Sequence, residues 1–256
     1  MSIRISTGLR NFLLSKGSLA QAFNGGILDV YTGPQPATAD AAPTGTRLVT
    51  FTNASGAWTQ ETPATGTITL TGGSSGSINT VTVGGANILD AAVAYDTSLD
   101  VTAAALALAL NRSALNNDFD AAAAGAVVTL TSRPGRAVQY NSVALSATLT
   151  TITASYANFA SGVASINGLL FDVAESGILV KRQTQVWTGV AVASGSAGWF
   201  RLKGPLLDGN TVSQTLMRLD GTIATTGGNL TMSPTAMTLG GTQTLASFSP
   251  TIPAEY

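Results

Sequence analysis

Alternating apolar and polar positions dominate this chain, and residues 186–220 show the alternation most clearly. Two alternating runs, 186–193 and 199–202, are joined by a Ser/Gly-rich stretch at 194–198 that we interpret as a turn. A third run ends at Leu219-Asp220-Gly221, where Asp-Gly indicates another turn. A period of two, interrupted by Gly and Asp, is typical of half-buried antiparallel strands joined by tight turns. The segment therefore predicts the core of a β-sandwich.

The first twenty residues follow a helical period instead. Apolar positions that include Phe12 and Leu13 predict a helix over residues 6–23, which Gly17 kinks or divides. Ser18 with Gln21 three residues later fits a capping box that restarts the second piece. The apolar stripe of this helix must be buried, either against the chain's own sandwich or against a neighbouring subunit.

Further strands are predicted on both sides of a central segment. Residues 27–32 and 47–52 alternate as strands, and Asn167-Gly168 predicts a hairpin with a type I′ turn. The outer segments together hold roughly nine or ten short strands, which is the pattern of a sandwich or jelly roll.

Residues 66–154 have a different order, two strands, a helix at 101–110, and two more strands. We interpret this as a small α+β module of about ninety residues inserted into a loop of the outer domain. The predicted fold is thus mainly β, an antiparallel β-sandwich or jelly-roll-like domain with an N-terminal helix and an inserted module. Residues 1–62 and 162–256 form the outer domain, and 63–161 form the insertion.

Charge is scarce. Only 10% of the residues are charged, against 45% hydrophobic, and the net charge is −1. Soluble monomers usually carry more charge, so identical neighbours are expected to cover part of the surface, although a Thr-rich β surface would have the same composition. The cationic residues are scattered, and we expect Lys181-Arg182 and Arg133/Arg136 to be solvated turns or strand ends. Nucleic acid and membrane are not expected partners.

Candidate catalytic groups are few, because the chain has no histidine and no cysteine. Histidine-dependent triads and thiolate metal sites are excluded, and no phosphate-binding glycine loop occurs. Paired carboxylates remain, as Asp118/Asp120 or as Asp208 with Asp220, and could act in a glycosidase. We favour a structural role for both pairs, on an edge strand and in turns before glycine. We therefore predict no enzymatic activity, no cofactor and no metal.

Large aromatic side chains in the strands are candidates for packing or for a subunit interface rather than for ligand binding or catalysis. Trp199-Phe200 beside Arg201 could stack a sugar, but large aromatics on paired strands more often pack. We assign a packing or subunit-interface role to five residues: Phe12, Leu13, Trp187, Trp199 and Phe200.

Several stretches resemble a family of tailed-bacteriophage virion structural proteins. They are the N-terminal helix leading into Asn24-Gly25-Gly26-Ile27-Leu28, the run VYTGPQP at 30–36, and the later GWFRL at 198–202 with RLDG at 218–221. The resemblance implies a non-enzymatic virion component, assembled in the host cytoplasm. It implies partners that are copies of the chain itself and other virion proteins of the portal, connector, capsid or tail.

Within that family we favour a collar or neck protein at the head–tail junction, present as a ring. A capsid decoration protein is the alternative within the same class. A carbohydrate-binding tail module or glycosidase is the alternative from another class.

Overall fold

The computed structural model describes residues 3–175 and 178–250. Its helices are α1 (Thr7–Ser15), α2 (Leu19–Phe23) and α3 (Leu99–Arg112), and a short 3₁₀ turn covers Val138–Tyr140. Its strands, in chain order, are β1 (Arg4–Ile5), β2 (Ile27–Thr32), β3 (Arg47–Asn53), β4 (Thr65–Gly72), β5 (Ser77–Val83), β6 (Ala86–Asn87), β7 (Val93–Ala94), β8 (Phe119–Ala124), β9 (Val127–Ser132), β10 (Leu145–Thr150), β11 (Thr153–Ala160), β12 (Trp187–Val190), β13 (Gly195–Lys203), β14 (Arg218–Ala224), β15 (Leu230–Thr231), β16 (Ala236–Met237) and β17 (Thr242–Leu245).

The chain forms two compact units. Unit 1 combines the residues up to Glu61 with those from Ser165 onward, and unit 2 is the intervening Thr62–Ala164. The sequence-based boundaries of the insertion were 63–161.

Unit 1 contains one nine-stranded sheet with the order β1-β14-β13-β2-β3-β12-β17, to which β15 and β16 attach at β14 and β13. Every pairing is antiparallel except that of β14 with β15. The predicted mainly β, antiparallel fold is confirmed. Phe248 contacts the rings of both Phe200 on β13 and Trp187 on β12, although two strands separate β13 from β12 in the sheet. The sheet therefore curves around one core, in a β-sandwich-like arrangement.

The N-terminal helices contribute to that same core. Gly17 lies between α1 and α2, and the Ser18 hydroxyl accepts a hydrogen bond from the backbone N–H of Gln21, as a capping residue does. Phe12 and Phe23 are buried in the core, and Leu13 packs against it while partly exposed. The apolar stripe is thus covered by the chain's own unit.

Two turns predicted in residues 186–220 are absent. Residues 195–198 belong to β13, and Asp220-Gly221 lies inside β14. Gly221 faces Phe200 across the ladder, and a Cβ on it would come within 2.6 Å of the Phe200 ring. Close packing between the strands requires this glycine. An Asp-Gly pair therefore looks the same in the sequence whether it lies in a turn or inside a tightly packed strand.

The hairpin predicted at Asn167-Gly168 is also wrong. Asn167 has a φ of 55°, but Gly168 does not have the positive φ that a type I′ turn needs. The flanking residues pair elsewhere, Ile166 with Thr59 and Leu169 with Gly26. A Cβ on Gly168 would lie 2.2 Å from the carbonyl oxygen of Gly25, so close backbone approach explains this glycine.

Unit 2 has two four-stranded sheets, where the sequence predicted one layer. One sheet joins β10, β5 and β6 with β7 beside β5, and the other has the order β11-β4-β9-β8. Helix α3 begins after Ser98, whose hydroxyl caps the N–H of Val101. The helix buries Ala103, Leu106 and Leu110 in a core shared with both sheets.

We predict that Phe200→Ala lowers the free energy of unfolding by about 3–5 kcal/mol, because it leaves a cavity in the core of unit 1. Trp199→Ala, which removes another fully buried ring, is expected to cost a similar amount. Denaturant unfolding measures both, with Leu14→Ala as control, since Leu14 is 79% exposed. Unchanged stability together with lost self-association would instead place the residue at a subunit interface.

Candidate functional site

The most concentrated group of charged side chains lies on the face of the unit 1 sheet that points away from the core. Along β13, Phe200 and Leu202 point into the core, so Arg201 and Lys203 point the other way. The strand register aligns a row of five residues across five strands: Thr50, Asp29, Arg201, Asp220 and Arg4. Opposite charges are therefore neighbours in this row.

Three ion pairs tie this face together. Arg201 donates to both carboxylate oxygens of Asp220 at 2.8 and 2.7 Å. Arg218 does the same with Asp208 at 2.6 Å for each bond, and Lys203 Nζ lies 2.6 Å from Asp29 Oδ2. All six side chains are at most 4% exposed. Three cations and three anions balance, so the cluster has no net charge.

Two connecting segments cover the cluster, residues 33–46 after β2 and residues 204–217 after β13. The carbonyl oxygen of Ala41 accepts from Arg201 at 3.0 Å, and that of Thr211 accepts from Arg218 at 2.8 Å. Asp40 accepts from the backbone N–H and the hydroxyl of Thr7, at the start of α1. The cover thus supplies the acceptors that buried guanidinium groups require.

Opposing influences act on the pKa values of Asp208 and Asp220. Burial raises the pKa of Asp220, and the hydrogen bonds from Arg201 oppose that rise. At Asp208 burial acts in the same direction, but hydrogen bonds from Arg218 and the Asn210 backbone N–H hold the pKa below its usual value. Both carboxylates are committed to arginines, which suits an internal structural role better than acid–base exchange with a substrate.

Trp199 belongs to the same face. Its ring stacks on Tyr31 with centroids 4.6 Å apart, and its indole N–H donates to the carbonyl oxygen of Thr44 at 3.3 Å. The Arg201 guanidinium lies 5.5 Å from the ring. Since Trp199 is fully buried, its surroundings fit packing, and those of Trp187 and Phe200 in the core do as well.

The other predicted carboxylate pair lies in unit 2. Asp120 is on the edge strand β8 and pairs with Arg133 at 2.9 Å, while Asp118 pairs with Arg136 at 2.8 Å. The Tyr140 hydroxyl donates to Asp118 at 2.6 Å, and burial together with that bond raises the pKa of Tyr140 to about 12. Each carboxylate thus has its own arginine.

The expectation that Lys181-Arg182 and the Arg133/Arg136 pair are solvated is wrong for Lys181 and Arg133. Arg133 is 3% exposed and Lys181 is 7% exposed. Lys181 donates to the carbonyl oxygens of Gln185 and Arg182 and lies 5.8 Å from the centre of the Trp187 ring. Short-range sequence did not show this burial, because the covering residues come from other segments.

A shallow groove of about 390 Å³ lies on unit 1 beside β3 and β12. Its lining includes Trp58, Thr52, Ser55 and Arg47 together with Val190 and Val192. These two valines, which we call the rim of the groove, are 48% and 55% exposed. The groove therefore combines an aromatic ring and hydroxyl groups with two exposed apolar side chains.

The outer edge of β8 is closed by asparagine side chains. The Asn116 amide exchanges two hydrogen bonds with the backbone of Phe119, at 3.0 and 3.1 Å. The Asn111 amide does the same with Ala121, at 2.7 and 2.8 Å. These amides take the place of a neighbouring strand and protect an edge that could otherwise pair with another chain.

No family model, curated protein or solved structure matches this chain. Within the described ranges, no group of three or more Asp or Glu side chains is placed to hold a metal ion. No helix in the same ranges is long and apolar enough to cross a membrane.

We predict that Asp208→Asn costs about 3–5 kcal/mol near neutral pH, because it leaves Arg218 buried without its partner. The folded-state pKa of Asp208 lies below its unfolded value near 3.8. The carboxylate therefore stabilises the fold fully above that pH and loses its contribution as the pH falls through the folded-state value. Denaturant unfolding at stepwise lower pH should show the gap between wild type and variant narrowing in acid. A gap that stays constant would contradict this assignment.

We also predict that Asn116→Ala lowers the free energy of unfolding by about 1–3 kcal/mol, because backbone groups at the β8 edge lose their partners. The matched control is Asn117→Ala, at the exposed neighbouring position, which should change stability little. Equal effects of the two substitutions would show that the Asn116 amide does not stabilise the edge.

Proposed function

We propose that this chain is a non-enzymatic structural component of a tailed-phage virion, a collar or neck protein that forms a ring at the head–tail junction. The resemblance of the N-terminal segment and of the GWFRL and RLDG runs supports the virion assignment.

One observation carries the structural role: the chain has few charged groups, and six of them are closed off inside unit 1 as ion pairs. Among the described residues, six ion pairs use twelve of the 25 charged side chains. The three pairs of the unit 1 cluster are closed to solvent, whereas Asp120–Arg133, Asp118–Arg136 and Asp172–Arg182 are partly exposed. The surface is left with few charges, which favours contact with other protein surfaces over solubility as a free monomer.

The rim of the groove is our candidate contact between copies. Val190 and Val192 are exposed there, and Val192 donates its backbone N–H to Leu48 and so holds its place beside β3. Apolar side chains at a groove suit burial by a neighbour.

Light scattering coupled to size-exclusion chromatography tests this contact. The wild type should elute as a closed oligomer, and Val192→Lys should shift it towards monomer. The control Val212→Lys places the same charge at a position that is 74% exposed on the 204–217 segment, and it should leave the oligomer intact. A strictly monomeric wild type that never enters particles would contradict the proposal.

Copy number in purified virions separates the collar from its alternative in the same class. A ring requires on the order of a dozen copies or fewer, set by cyclic symmetry, whereas a decoration protein would be present in hundreds.

The second candidate, a carbohydrate-binding tail module, is favoured by the aromatic and hydroxyl-bearing part of the groove around Trp58. Binding of the isolated protein to host glycans, lost in Trp58→Ala, would support this alternative over the collar.

A further inference from the structure

The two buried lysines of unit 1 differ in their hydrogen-bond partners. An ammonium carries three N–H donors, and Lys181 directs its own towards two carbonyl oxygens. Lys203 is 3% exposed, and in the described part of the chain its Nζ has one acceptor, Asp29 Oδ2 at 2.6 Å. As an ammonium, Lys203 would keep two donors without acceptors in a place closed to water, which is costly.

The Asp29 carboxyl is held mainly by neutral groups. Thr50 donates its hydroxyl to Oδ1 at 2.5 Å, and Tyr31 donates its hydroxyl to Oδ2 at 3.3 Å. Arg201 lies directly opposite Asp29 in the strand register, but its guanidinium bonds to Asp220 and to Ala41 instead. Among the described residues, Lys203 is thus the one cation hydrogen-bonded to Asp29.

We propose that Lys203 and Asp29 condense into an intramolecular isopeptide bond that joins β13 to β2. The product has an amide nitrogen with a single N–H, so the number of buried N–H donors at this position falls from three to one. It also removes both charges from the buried site.

The reaction balances without an oxidant or cofactor. A proton passes from the ammonium to the carboxylate, which leaves an amine and a carboxylic acid. The nitrogen lone pair attacks Cγ of Asp29, and the Thr50 hydroxyl stabilises the negative charge that develops on Oδ1. The Cγ–Oδ2 bond then breaks, the nitrogen loses a second proton, and Oδ2 leaves as water.

Tyr31 is placed to assist the last step, because its hydroxyl is bonded to the leaving oxygen. Burial and the neighbouring Asp29 carboxylate raise the pKa of Tyr31, so the hydroxyl keeps its proton. The Tyr31 hydroxyl therefore remains a hydrogen-bond donor that orients Oδ2, and the proton that Oδ2 needs to leave as water comes from the nitrogen.

The bond would connect residues 174 positions apart in the chain, with the whole of unit 2 between them in sequence. A cross-link over so long a loop restricts the unfolded chain strongly.

Intact mass spectrometry of the denatured protein tests the proposal. The wild type should be lighter than its sequence mass by one water, and Asp29→Ala and Lys203→Met should not. Asp29→Asn would lose ammonia instead of water and should reach the same final mass as the wild type. After protease digestion, one branched peptide should contain both residue 29 and residue 203.

Two controls separate this cross-link from other losses of water. Lys181→Met removes the other buried lysine and should keep the loss. Succinimide formation at Asp208-Gly209 or Asp220-Gly221 would also release water, but it would persist in Lys203→Met. A wild type and a Lys203→Met variant that deviate equally from their own sequence masses would overturn the proposal and leave an ordinary ion pair.

Discussion

The structure of unit 1 depends on burying charge on the second face of its sheet. An antiparallel sheet can leave one face in water, but the central strands β2, β13 and β14 are closed on both faces, on one by an apolar core and on the other by balanced ion pairs. The Arg201–Asp220 and Arg218–Asp208 pairs alone remove four ionised groups from water, which costs several kcal/mol for each before their attractions are counted. That cost is offset only because every carboxylate meets a cation and the guanidinium groups find carbonyl acceptors in the covering segments.

The same arrangement explains the irregular parts of the chain. Residues 33–46 and 204–217 have few regular elements, yet their backbone oxygens are held in place by Arg201 and Arg218. Asp40 extends the network to Thr7 at the start of α1. Strands from both sides of the insertion and the N-terminal helix are thus joined through one network of hydrogen bonds.

The elements that depend on the periodicity of neighbouring residues could be predicted from the sequence. The period-two alternation around Trp199 and Phe200 predicted a half-buried strand, which the structure buries on both faces. The Ala/Leu-rich period predicted α3 within two residues at each end. Asp220-Gly221 and Asn167-Gly168 were misjudged because the reason for each glycine is a close neighbour elsewhere in the chain, Phe200 in one case and Gly25 in the other. The partners in the charge cluster are equally remote, as with Lys203 and Asp29, so one sequence offers no signal for them.

We propose that the surface that carries Val190 and Val192 contacts other copies of the chain, and this is the central claim to be tested. The most direct measurement is a cryo-EM reconstruction of virions that carry this chain, with the chain placed in the density. We predict a ring of copies at the head–tail junction, with Val190 and Val192 facing a neighbouring copy. Density that shows the chain as isolated monomers, with this rim in solvent, would contradict the proposal.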